Sequence, residues 1–161
     1  MNRRFSDTLA EWAVAALCAW QASDLLFTWR HSPFDAAGWL AMGIWLAPFL
    51  APFFLRPVKA GESSGTSKFC WLALATCLLG ILTDAHFFKH CALAFACAAL
   101  VPSFRYSTLW LALSICWMPA LGWLLKSISP NAVMFTRLAL ALGAASLGFT
   151  GIFWNKRKVT G

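Results

Sequence analysis

"ILTDAHFFKHCALAF", residues Ile81 to Phe95, sets an aspartate, two histidines and a lysine inside an apolar run. The stretch reads in two ways. Asp84, His86, Lys89 and His90 are either a metal or catalytic cluster, or the wet turn between two membrane-crossing helices. A turn of that kind has to be polar, because its unpaired backbone groups need water or side-chain partners. In that reading Asp84 caps the following helix and Lys89 extends its ammonium to water.

The surrounding sequence favours the turn. Of the 161 residues, 60% are hydrophobic and 12% charged, with a mean hydropathy of +0.67, ten Trp and fourteen Phe. A soluble chain carries about 25% charged residues, so this one has too little polar surface to cover a globule in water. Its apolar residues come in blocks long enough, at about 1.5 Å per helical residue, to cross roughly 30 Å of hydrocarbon. The expected class is all-α: a polytopic helical bundle in the lipid bilayer of the inner (cytoplasmic) membrane.

Six spans are expected, at residues 8–27, 36–55, 69–84, 86–102, 106–125 and 131–154, forming one domain. The third and fourth sit at the lower limit for crossing. "RPVKAGESSGTSK" (Arg56 to Lys68) reads as a flexible loop. Pro48, Pro52 and Pro119 are expected to kink the second and fifth spans. The basic start "MNRRF" resembles that of a signal peptide, but Glu11 interrupts the apolar region that follows, so an uncleaved first span is expected.

Charge orients the bundle. With the N-terminus inside, inner segments hold Arg3, Arg4, Arg56, Lys59, Lys68, Arg105, Lys156, Arg157 and Lys158, and outer ones only Arg30, Lys89 and Lys126. By the positive-inside rule both ends are cytoplasmic. The net charge of +7 therefore reflects topology; no basic helix face points to nucleic acid. Trp12, Trp29, Trp39, Trp71, Trp110, Trp123 and Trp154 fall near span ends, where indoles favour the headgroup boundary, and Trp20, Trp45 and Trp117 fall near mid-membrane. The six cysteines form no CxxC pair and read as small buried hydrophobes.

Two groups stand out as candidate sites. His31, His86 and His90 all lie on the outer side; His86 and His90 are four apart on one helix face, and His31 or Asp84 would complete a ligand set for zinc or copper. Asp35 lies on that side as well. The second is Arg137, in "FTRLALALGAASLGFTG". An arginine at the centre of a membrane helix costs roughly 2.5–3.5 kcal/mol on insertion scales. It either snorkels to the surface or pairs with an acid, Asp24 first and Asp84 second. Small residues including Ala144 and Gly148 give the same helix a face suited to close packing.

Three blocks, "WRHSPFDAAGWLAMGIWLAPFL", "CWMPALGWLLKSISPNAVMFTRLALAL" and "GAASLGFTG", together resemble the front half of exosortase and archaeosortase membrane proteins. That resemblance implies a relative of membrane-embedded cysteine transpeptidases, which use a Cys in a Cys-Ser-Gly context with a later Arg and His. A thiolate, an imidazole and an oxyanion-binding cation suit acyl transfer. No Cys-Ser-Gly occurs here: Cys116 precedes Trp117 and Met118, and Cys91 precedes Ala92 and Leu93. The resemblance then implies a non-catalytic binding, scaffold or accessory subunit with no cofactor, partnered by another membrane protein of an envelope-sorting or polymer-export system. A small carrier or channel, or a metal-binding subunit using the outer histidines, is the alternative.

Overall fold

A computed structural model describes residues 3–55, 66–101 and 106–159, with side-chain environments over 9–50, 68–101 and 106–151. Every element among them is helical: α1 (Arg3–Gln21), α2 (Asp24–His31), α3 (Gly38–Leu55), α4 (Thr66–Thr83), α5 (His86–Leu100), α6 (Ser107–Ala112), a 3-10 turn (Leu113–Cys116), α7 (Pro119–Leu124) and α8 (Pro130–Val159). The all-α expectation is met. By length and composition one of these helices, over Pro130–Gly151, is long and apolar enough to cross a membrane; the apolar stretches Gly38–Leu50, Lys68–Thr83, His86–Leu100 and Ser107–Cys116 are shorter.

The chain divides into two compact units. One comprises residues 1–25 and 62–103, the other 26–61 and 104–161. In the first, α1, α4 and α5 pack on one another. Its interior is made mostly of small residues: Cys18, Ala22, Ala73, Cys77, Ala92, Ala94, Ala96, Ala98 and Ala99 are buried beside Leu25, Leu93 and His90, while Trp12, Trp20, Leu78, Leu82 and Phe87 face outward. Small side chains let helix backbones approach closely. In the second unit α3 packs on α8, and α6, the 3-10 turn and α7 fold against α8. There the interior is aromatic, built on Trp29, Trp45, Trp110 and Trp117.

Several boundaries differ from the sequence reading. The first segment is not one continuous helix: α1 stops at Gln21, and after a two-residue turn α2 begins at Asp24, whose carboxylate favours a helix N-terminus. The segment expected as a fifth span is broken in three. Met118 is extended and Pro119 opens α7 at its first position, where a missing N–H costs nothing, so the proline restarts a helix instead of kinking one. Asp84 is not the cap expected for α5. It occupies the left-handed region at φ 50°, which aspartate tolerates better than most residues, and Ala85 stands at the N-cap with no side-chain bond. Most of the loop expected over Arg56 to Lys68 lies outside the described residues, as does Arg105; Lys68 itself belongs to α4.

Candidate functional site

The second unit carries the most heavily bonded polar group. Between Ala112 and Pro119 the chain passes from α-helix to a 3-10 turn and then to the extended Met118, so its carbonyls leave the regular ladder. Such groups need other donors when buried. Arg137 supplies them. Its Nη1 donates to the carbonyls of Cys116 at 2.9 Å and Met118 at 3.1 Å; its Nε donates to the Phe34 carbonyl at 3.1 Å. Its Nη2 pairs with Asp35 Oδ1. One bond from Nε, two from Nη1 and one from Nη2 engage four of the five guanidinium N–H groups.

Arg137 is 0% exposed, so it does not snorkel. Its partner is Asp35, not Asp24 or Asp84. The turn 32–38 brings Asp35 in: Ser32 Oγ donates to Asp35 Oδ2 at 2.8 Å, and the Gly38 N–H donates to the Asp35 carbonyl at 2.8 Å. Gly122 of α7 closes over the pair, because a Cβ there would sit 2.6 Å from Asp35 Oδ1 and 3.0 Å from Arg137 Nη2.

Indoles complete the support. Trp29 Nε1 donates to the Trp117 carbonyl at 3.0 Å, taking up the carbonyl between the two that Arg137 binds. Trp45 and Trp110 stack at 4.0 Å and 5°, and each donates its indole N–H to the other's carbonyl, at 2.9 and 3.1 Å. Trp29 and Trp110 are therefore buried core residues, and Trp20 is outward-facing at 77% exposure. The Trp117 indole N–H is buried without an acceptor. Trp29→Phe, which strips the donor from a buried carbonyl, is expected to cost about 1–3 kcal/mol. Trp117→Phe removes a donor with nothing to bond and is expected to cost clearly less; thermal melts of the two purified variants check the order.

The first unit holds a second cluster. His86 Nδ1 lies 2.9 Å and His90 Nε2 3.0 Å from one oxygen, Oδ2 of Asp24. Asp24 is thus held by two imidazoles and is not a partner of Arg137. The Asp84 side chain is 88% exposed and pairs with Lys89 Nζ at 2.9 Å. That hydrogen bond and the ammonium charge hold the Asp84 carboxyl below the usual carboxylate range.

Of the three histidines grouped from sequence, the structure brings His86 and His90 together on Asp24. His31 belongs to the other unit, stacked on Phe27 with Nδ1 2.8 Å from the Phe27 carbonyl. Among the described residues no three His, Cys, Asp or Glu side chains are arranged to hold a metal ion. Asp35 was visible in sequence only as one more outer acid; its turn signal, "HSPFDAAG", was the clue that it folds inward. No known family, curated protein or solved structure matches this chain.

Proposed function

We propose that the chain is a six-span inner-membrane protein with both ends cytoplasmic, serving as a non-catalytic binding or scaffold subunit in envelope protein sorting or polymer export. The observation that carries the membrane reading is the placement of large and small side chains. Alanines and cysteines fill the interior of the first unit, while Trp12, Trp20, Leu82, Trp39, Phe135 and Leu142 face outward. Water penalises that arrangement and lipid does not. Hydroxyls agree: Thr76, Thr136, Ser146 and Thr150 each bond the carbonyl four residues back on their own helix, which satisfies them without water.

The non-catalytic reading rests on Arg137. With four donors committed to protein acceptors, its guanidinium is bound as a brace, not held ready for a developing oxyanion. One feature favours a carrier instead: a discontinuous helix beside a buried charge is the pattern of transporter sites. Topology is tested with single cysteines in a chain whose six native cysteines are alanine. Asp84→Cys is expected to react with an impermeant maleimide on intact cells, and Lys156→Cys only after permeabilisation. Labelling of both from outside, or extraction of the protein by alkaline carbonate, would overturn the reading. Crosslinking in native membranes should capture another membrane protein; solute flux in proteoliposomes without any such partner would favour the carrier.

A further inference from the structure

The Asp24–His86–His90 cluster is used by none of the above. A carboxylate only accepts, so both ring nitrogens facing Oδ2 carry hydrogens and donate. That fixes the tautomers when the rings are neutral: His86 leaves Nε2 bare, and His90 leaves Nδ1 bare. The two rings differ in access. The His86 side chain is 61% exposed and the His90 side chain 4%, with centroids 6.5 Å apart. A proton arriving from water therefore meets His86 Nε2 first.

The surroundings define the charge count. On α5, Lys89 is neutralised by Asp84. Packed against α5, α1 carries Cys18 and, more than three turns before Asp24, Glu11, with Asp7, Arg4 and Arg3 earlier still in its sequence; α4 carries Cys70, Cys77 and, at its opposite end, Lys68; α5 itself adds Cys91 and Cys97. Asp24 is thus the acid that meets both imidazoles. With neutral rings the cluster carries the single negative charge of Asp24. One proton on His86 makes an imidazolium–carboxylate pair, whose charge-assisted hydrogen bond is stronger than that of the neutral ring. A second proton, on buried His90, puts two cations on one carboxylate at the start of a helix whose dipole is positive there.

We infer that Asp24, His86 and His90 form a proton-binding clasp joining the chain just after α1 to the first turn of α5, tightened by one proton and released by a second. An unperturbed imidazole is the side chain whose charge changes between about pH 5 and 8. The inference does not depend on which side of a membrane the cluster faces.

The test uses the full chain in lipid nanodiscs. Its melting temperature is expected to rise by about 2–4 °C from pH 8 to about 6.5, then to fall below the pH 8 value by pH 5. The double variant H86Q/H90Q is expected to lose this rise and fall. Nitrogen-15 histidine spectra of the unmodified protein give a readout that needs no variant: one imidazole should become cationic before the other, and D24N should bring the first step to lower pH. A melting profile of H86Q/H90Q that matches the unmodified chain would overturn the inference, as would two imidazoles that titrate together and ignore D24N.

Discussion

Replacing Arg137 with methionine is expected to remove about 3–5 kcal/mol of stability, the usual cost of breaking a buried ion pair by deleting one partner. Against a total of about 5–15 kcal/mol, little folded protein should accumulate. The loss has two parts: Asp35 is left as an unpaired buried charge, and the Phe34 and Cys116 carbonyls lose their donor. The double variant Arg137→Met with Asp35→Leu separates them. For a simple ion pair, replacing both charges with apolar residues is neutral or stabilising. Here the double variant should recover less than half of the loss, because the carbonyls freed by the break before Pro119 are still unpaired. Arg137→Lys should do little better, since one ammonium cannot span acceptors on two separate segments. Fluorescence-detected size exclusion and thermal melts in detergent measure all three. Full recovery in the double variant would mean that the charge pair, and not the helix break, is what Arg137 serves.

Arg137 was legible in the sequence and its partner was not. A lone cation in an apolar run is costly wherever the helix goes, so composition alone marks it. Choosing among acids requires knowing which segment folds back on α8. Linear depth puts Asp24 first and Asp84 second, but the turn from Ser32 to Gly38 carries Asp35 inward, held by Ser32. His31 lies at the end of α2, in the other unit from His86 and His90. The break at Pro119 had a sequence signal that admits two outcomes: a proline inside an apolar run kinks a helix or restarts one. The preceding 3-10 turn and the extended Met118 decide for restarting. The His86–His90 pair, by contrast, follows from helical spacing alone and is found where four-residue periodicity puts it.

Glycine substitutions should show how tightly the second unit is built around these groups. At Gly38 an added Cβ would overlap the Trp29 indole, the donor to the Trp117 carbonyl. At Gly122 it would stand 2.6 Å from Asp35 Oδ1, where only displacement of the Arg137 pair could make room. At Gly143, in the exposed part of α8, it would meet nothing within 4 Å. Helix propensity predicts a gain on changing a helical glycine to alanine, up to about 1 kcal/mol. Gly143→Ala should therefore stabilise by a few tenths of a kcal/mol or more. Gly122→Ala and Gly38→Ala should instead lose about 1–3 kcal/mol, the cost of overpacking a closed interior. The sign difference is the informative quantity, because all three changes are chemically identical and all three sites are helical. Melting temperatures of the three variants in one detergent measure it. Equal responses at Gly122 and Gly143 would mean that the Asp35–Arg137 pair is free to shift, and the interior would then be a loosely held charge instead of a brace.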